Sequence, residues 1–439
     1  MSQLAIVRPA EPPRRTTVNR GRTASNGARN FGTRPPPGIQ AGVRPDGNPF
    51  ASESGAHVMK HLVDPQAAPI GRLPAALLRD NCPCADCRDP VSGQRLVAIT
   101  DLAPELSVAA TAAEAGGWRV TFAPDGHQAV FSREWLASLT AATVPGRSEV
   151  TRQLWRAADF PAGPPVVTWA DYEASDATRL TSLRQMLATG FMLLRGVPQR
   201  PGAVLTVAAS FGYVRETNYG RLFDVRVEPT PANLAFTGLP IGPHTDNPYR
   251  DPAPTVQLLH CLVNAAGGGE SGLLDGYTAA ATLRAEDRAA FDCLTSTPVT
   301  FRYADAGAEL SATRPMIGLT ATGLISEIRY NSRSLQPPTP GSPASAAAQL
   351  TKFYRAYGAF ATILLRPALT LRFSLEPGDC IVFDNTRLMH SRTGFSATGQ
   401  RHLQGCYADL DGVESTVAVL ARDSDRAARP HSGHLAAGA

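Results

Sequence analysis

The chain has 439 residues, 43% of them hydrophobic and 18% charged, a length beyond that at which one core keeps growing, so two domains plus tails are expected. Its formal charge of +4 is uneven: residues 1–60 hold nine Lys/Arg against three Asp/Glu, leaving 33 against 35 for the remainder. A near-neutral body excludes a nucleic-acid footprint, and the absence of a ~20-residue apolar run or a secretory hydrophobic core predicts a cytoplasmic protein with no membrane partner.

In chain order, residues 1–58 are rich in Arg, Pro, Gly, Ser and Thr without apolar periodicity, and predict a disordered tail. Pro35, Pro36 and Pro37 argue against the amphipathic helix of an organelle transit peptide. Residues 59–145 predict a small β-rich domain around Cys82, Cys84 and Cys87. Thiols this close, with no secretory signal, favour a metal over disulfides, and a structural zinc site needs a fourth donor. His127 stands in a turn after the strand-like Trp118–Phe122, and His57 and His61 are the competing candidates.

Residues 160–420 predict the larger domain. Helical spacing covers 175–188 and 203–211, with a buried strand over 190–196 between them. Short β-rich runs follow at 256–262, 297–301, 324–330, 379–383 and 401–407, interrupted by helical insertions near 278–293 and 345–365. The fold class is mostly β with flanking helices: a double-stranded β-helix, or jelly roll, plus the N-terminal zinc-binding domain. Residues 421–439 are small and polar, and predict a flexible tail.

His244 and Asp246, in Gly-Pro-His-Thr-Asp-Asn-Pro, and His390, in Phe-Asp-Asn-Thr-Arg-Leu-Met-His-Ser, read as the ligands of one iron atom. Two imidazoles and one carboxylate occupy one face of Fe(II) and leave positions for a chelating cosubstrate and dioxygen. Arg401, eleven residues past His390 in a predicted strand, suits the far end of a dicarboxylic acid. A His-x-Asp pair is a weak signal alone, and an isolated histidine is usually a satisfied turn or core residue. The order His-x-Asp, long gap, His, then Arg is far more specific, and it predicts an enzyme.

The segments Leu-Arg-Asp-Asn-Cys-Pro-Cys-Ala-Asp-Cys, Gly-Pro-His-Thr-Asp-Asn-Pro, Val-Gln-Leu-Leu-His-Cys, Asp-Gly-Tyr, Phe-Asp-Asn-Thr-Arg-Leu-Met-His and Arg-His-Leu-Gln-Gly-Cys-Tyr-Ala-Asp-Leu-Asp resemble the γ-butyrobetaine hydroxylase and trimethyllysine hydroxylase group of 2-oxoglutarate-dependent dioxygenases, over residues 63–415. The resemblance implies Fe(II), 2-oxoglutarate and dioxygen, a structural Zn(II) with His127 as its fourth ligand, and a homodimer. It places the 2-oxoglutarate carboxylate on Arg401 and Ser271, and hydroxylation on an unactivated C–H bond of a small quaternary-ammonium zwitterion. Tyr219, Phe223, Phe236 and Tyr407 match the positions of an aromatic cage, and Asn233 and Asn331 those of donors to the anionic end. Core packing is the plain alternative for Phe223 and Phe236, as a turn is for the asparagines. Phe223 and Phe236 stand where the butyrobetaine enzyme carries Trp and Tyr, which leaves room for trimethyllysine, a phosphonate betaine or a natural-product intermediate. A non-catalytic, zinc-anchored binding protein is the reading from another class.

Overall fold

The structure is a computed structural model that describes residues 70, 73–139, 150–227, 237–340, 345–396 and 399–428. The expected tail over 1–58, residues 429–439, His57, His61, Asn233 and Phe236 lie outside the described residues. The chain divides into two units, residues 1–131 and 132–439.

In the first unit a short helix α1 (Ala75–Asp80) runs into the cysteine segment, followed by strands β1 (Ser107–Glu114), β2 (Gly117–Ala123) and β3 (Gln128–Ser132) in a sheet of that order. Val120 and Phe122 of β2 and Ala129 and Phe131 of β3 are buried while their neighbours are less so, the period-two pattern of a sheet with one covered face. Gly126, left-handed at φ 68°, closes the β2–β3 turn, and Phe122 N donates to His127 O at 2.8 Å. The turn fixes His127 on the edge that meets the cysteines.

The second unit begins with α2 (Arg133–Ser138), β4 (Val166–Thr168), α3 (Trp169–Ala174), α4 (Asp176–Thr189), β5 (Phe191–Arg195) and α5 (Ala203–Ala209). Strands β6 (Phe223–Arg226), β7 (Ile241–His244), β8 (Val256–Asn264) and β9 (Ser271–Asp275) follow, then α6 (Gly276–Glu286) and α7 (Arg288–Ser296). Two small hairpins come next, β10 (Val299–Ala304) with β11 (Glu309–Arg314), and β12 (Ile317–Leu319) with β13 (Ile325–Ile328). After α8 (Ala346–Leu364), the chain ends in β14 (Thr370–Phe373), β15 (Cys380–Asp384), β16 (Leu388–Arg392), β17 (Arg401–Ala408) and α9 (Leu410–Ala428).

The strands form a jelly roll. One sheet runs β4-β5-β15-β8-β17-β6 and the other β14-β9-β16-β7, so neighbours in space come from distant parts of the chain. Between the sheets Trp155, Phe191, Leu193, Leu273, Phe383 and Leu388 make a buried core. The outer face of the larger sheet is covered by α3, α4, α5 and α9, with Leu258, Val382 and Cys406 against Leu183, Val207 and Val413. Leu274 and Met389, on the outer face of the smaller sheet, share a core with Leu283, Phe291, Phe353 and Phe360 of α6–α8. Burial of each such side chain contributes roughly 1.5–3 kcal/mol.

Two sequence expectations change. The insertion expected near 278–293 is two helices, because Asp287 leaves helical geometry at φ −142° and its side chain accepts from Ala290 N as the cap of α7. The tail expected from residue 421 is helical as far as Ala428: Val413, Val417, Leu420 and Ala421 fall on one face and anchor α9 to the core. Among the described residues no helix is long and apolar enough to cross a membrane.

Candidate active site

Strand alternation selects the side chains that reach the interior. On β16, Leu388, His390 and Arg392 face inward while Met389 packs outward; on β17, Arg401, Leu403 and Tyr407 line the cavity while Cys406 faces the helices. His390 is the direct cross-strand partner of His244, the last residue of β7, which sets the two imidazoles 4.1 Å apart between ring centres. The chain leaves β7 through Thr245, and Asn247 then reverses it at φ 54°, a left-handed conformation that asparagine tolerates. Asp246 is thereby turned back toward both histidines: its Oδ1 lies 3.3 Å from His244 Nε2 and its Oδ2 3.9 Å from His390 Nε2.

The donor set fits a divalent metal. One ligand atom from each of His244, Asp246 and His390 lies within 4.8 Å of the others. His244 Nδ1 is 2.9 Å from Gly242 O, which fixes the tautomer and leaves Nε2 a lone pair. Burial first, then the charges of His244 and Arg333, push His390 down to about 3 against the pull of Asp246. Burial pushes the Asp246 carboxyl up, but His390, His244 and Arg333 outweigh it and hold it well below the usual carboxylate range. Neutral imidazole beside ionised carboxylate is the state a metal requires. Gln257 Nε2 and the Tyr407 hydroxyl donate to Asp246 Oδ2 at 2.7 and 3.0 Å, and Asn385 clamps its backbone by accepting from Asp246 N at 2.8 Å and donating to Asp246 O at 2.9 Å.

These groups line a cavity of about 500 Å³ in the second unit. Arg401 and Ser271 share it, and Arg401 is buried with no hydrogen-bond partner for its Nε and a single long contact, 3.5 Å, from Nη2 to Gly269 O. A buried guanidinium so weakly used is available to an anion. Gly269 makes its place: left-handed at φ 73°, it would set a Cβ 3.1 Å from Arg401 Nε.

Aromatic rings cover another part of the wall. Phe223 lies 5.1 Å from Tyr407 and 6.1 Å from Tyr219, Tyr219 is 5.9 Å from Tyr303, and Tyr303 stacks on Tyr249 at 5.0 Å. Gly405 admits the Phe223 ring over β17, since a Cβ there would meet Phe223 Cζ at 2.4 Å. Of the expected cage, Tyr219, Phe223 and Tyr407 come together here; Phe236 and Asn233 lie outside the described residues. Asn331 reaches the same cavity, but its Nδ2 donates to Thr245 O at 3.2 Å and its Oδ1 accepts from Arg333.

Gln257, Asn385, Tyr249, Tyr303, Arg333 and Arg392 were not singled out by the sequence. A weak signal existed for Gln257, a polar residue between apolar neighbours in Val-Gln-Leu-Leu-His-Cys, and for Asn385, inside the Phe-Asp-Asn-Thr-Arg segment. Nothing local marks Tyr303 or Arg333.

In the first unit Cys82, Cys84, Cys87 and His127 form a second cluster of metal-ligand type. His127 Nε2 lies 3.3, 3.5 and 3.6 Å from the three sulfurs, and Cys82 Sγ is 3.4 Å from Cys84 Sγ. A tetrahedron with zinc–sulfur bonds of ~2.3 Å and a zinc–nitrogen bond of ~2.0 Å has edges of about 3.5–3.8 Å, so the donor set fits. Arg79, itself buried, donates from Nη1 to Cys87 Sγ at 2.7 Å.

The family described as "Taurine catabolism dioxygenase TauD, TfdA family" matches residues 153–407, and "Gamma-butyrobetaine hydroxylase-like, N-terminal" matches residues 66–137. The chain is 35% identical to the γ-butyrobetaine dioxygenase of Pseudomonas sp. (strain AK-1), over 79% of this chain and 89% of that one. It is 29% identical to dioxygenase str8 of Strobilurus tenacellus (77% and 83% covered), and 27% identical to the trimethyllysine dioxygenase of Meyerozyma guilliermondii (78% and 89%). With a jelly roll that assembles two histidines and an aspartate beside a buried arginine, the chain belongs to the TauD, TfdA family and is a 2-oxoglutarate-dependent dioxygenase.

Proposed function

We propose that this enzyme hydroxylates an unactivated C–H bond of a small quaternary-ammonium zwitterion, γ-butyrobetaine or a close analogue. The observation that carries the reading is the group of rings from Tyr219, Phe223, Tyr303 and Tyr407 in the same cavity as His244, Asp246 and His390. A methylated nitrogen has no proton to donate, so it is recognised by ring faces, each worth about 0.5–2 kcal/mol. The 35% identity to a γ-butyrobetaine dioxygenase supports the same substrate class.

His244, Asp246 and His390 would hold Fe(II), which when bound supplies dioxygen activation coupled to oxidative decarboxylation of 2-oxoglutarate to succinate. The chain's own part is placement. Gln257 and Tyr407 direct the Asp246 carboxylate, and Asn385 fixes the backbone beneath it. Arg401 with Ser271 takes the remote carboxylate of 2-oxoglutarate. Leu259, Leu403 and Val225 exclude water from that wall, and Tyr219, Phe223 and Tyr407 orient the substrate cation.

A free amino acid such as trimethyllysine fits this wall less well. Its primary ammonium needs an acidic partner, and the acidic side chain lining the cavity among the described residues is Asp246, already held in the triad. Cys82, Cys84, Cys87 and His127 would hold a structural zinc, and the working form is a homodimer, which light scattering of the purified chain tests. The substrate reading is checked by mass spectrometry of reactions with γ-butyrobetaine, trimethyllysine, a phosphonate betaine and free amino acids. Hydroxylation of the amino acids alone would overturn it.

A further inference from the structure

The cavity carries more positive charge than the cosubstrate uses. Arg302, Arg333, Arg392 and Arg401 all line it, against one carboxylate among the described residues, that of Asp246. Three of the four have stated employment. Arg302 is paired with Glu309 at 2.7 Å, Arg392 donates to the carbonyls of Thr237 and Leu239 at 2.6 and 2.8 Å, and Arg401 stands beside Ser271 for 2-oxoglutarate.

Arg333 is different. Its Nε donates to Asn331 Oδ1 at 3.3 Å, and among the described residues its two Nη groups meet no acceptor and no carboxylate lies within ion-pair distance of it. Asn331 in turn is spent on support: its Nδ2 donates to Thr245 O, between the two ligands His244 and Asp246, and its Oδ1 also accepts from Arg333 N at 3.1 Å. One amide therefore ties the turn that carries two metal ligands to the base of this guanidinium. The next residue, Ser334, accepts at its carbonyl from Arg302 N at 2.8 Å, so the Arg333 loop runs alongside the strand that supplies Tyr303 to the ring wall. Rings and guanidinium share one cavity.

We propose that Arg333 binds the anionic end of the substrate, with Asn331 as its positioning residue, and that the substrate is a zwitterion ending in one oxyanion group. The assignment rests on the substrate class proposed above and deepens it. Two parallel N–H donors match the two oxygens of a carboxylate, sulfonate or phosphonate, and a full charge on the protein selects for a full charge on the ligand. Asparagine donors alone would accept an ester or amide nearly as well. Arg333 is solvent-exposed at the cavity wall, so its effect belongs at the low end of the range for charged hydrogen bonds, about tenfold in affinity.

The test is isothermal titration of the full, zinc-loaded chain with Mn(II) and 2-oxoglutarate, without oxygen, against γ-butyrobetaine and its methyl ester. Wild type should prefer the acid to the ester by about tenfold. Arg333→Gln should lose that preference and leave 2-oxoglutarate affinity unchanged, which also reports an intact fold, while Arg333→Lys should keep most of it. Asn331→Ala, which also frees the turn at Thr245, should weaken acid binding more than ester binding and so narrow the preference. Preference retained in Arg333→Gln, or an equal loss of 2-oxoglutarate affinity, overturns the assignment alone. Wild-type protein that binds 2-oxoglutarate but no methylated-ammonium acid overturns the substrate reading and this assignment together.

Discussion

Arg387 is the hinge on which the placement of His390 turns, and its replacement by Met should be among the most damaging changes in the second unit. Its side chain is 1% exposed and that of its partner Asp275 is 0% exposed. Nε and Nη2 reach the two Asp275 oxygens at 3.1 and 2.9 Å, Nη1 donates to Ala188 O at 2.8 Å, and Nη2 also meets Gln153 O. Asp275 itself accepts from Trp155 N, Tyr277 N and Thr278 Oγ1. The pair thus ties the end of β9 to the residue that precedes β16, three positions before His390. Arg387→Met leaves a buried carboxylate without its cation, which costs about 3–5 kcal/mol. Asp275→Asn should cost a similar amount by stranding the guanidinium, whereas the double variant should fall short of the summed losses by about 1 kcal/mol or more. Urea denaturation of the zinc-loaded chain, followed by circular dichroism, measures all three. A single-variant loss under 1 kcal/mol, or strict additivity, would refute the reasoning.

Other perturbations separate the two metal clusters and the ring wall. His244→Ala or Asp246→Ala should abolish turnover while zinc content stays at the wild-type level; activity retained by either variant, measured as succinate release, removes that residue from the ligand set. Cys84→Ser should lower zinc content and thermal stability together and leave Fe(II) binding in place. Arg79→Gln removes the cation that touches Cys87 Sγ and should weaken zinc retention in a competing-chelator titration by about 10–100-fold, the usual cost of losing a partner behind a metal ligand. Gly405→Ala must displace the Phe223 ring, whose Cζ would lie 2.4 Å from the new Cβ, so substrate affinity should drop by about 2–30-fold with 2-oxoglutarate affinity unchanged.

The legible parts of this molecule were those written in local pattern. Short β-rich runs at 256–262 and 401–407 located the two strands that carry Gln257, Arg401 and Tyr407, and the His-x-Asp and late His motifs named three side chains that the fold brings together. The cysteine cluster was equally local, and the Asp-Gly turn before His127 sets that residue opposite the three sulfurs. What stayed hidden depends on pairing between distant segments. Tyr303 reaches the ring wall through the β10–β11 hairpin, and its sequence neighbourhood reads as an ordinary exposed strand. Arg333 gains meaning from its two Nη groups, which meet no acceptor among the described residues, and no sequence pattern records that. The helical break at Asp287 stayed hidden because Arg284-Ala-Glu-Asp-Arg-Ala-Ala is made of good helix formers on both sides of it and reads as one continuous helix. The length of α9 was set by tertiary packing of Val413 and Val417 against the sheet, which outweighs the polar composition after residue 421.

Iron uptake tests the central claim most directly. Metal-free protein reloaded with zinc should bind one further Fe(II) per chain in the presence of 2-oxoglutarate under anaerobic conditions, and admission of oxygen with γ-butyrobetaine should release succinate and hydroxylated product in equal amounts. Asp246→Ala and His390→Ala should take up no second metal. Wild-type chain that binds only zinc, or an Asp246→Ala variant that binds iron as tightly as wild type, would contradict the account.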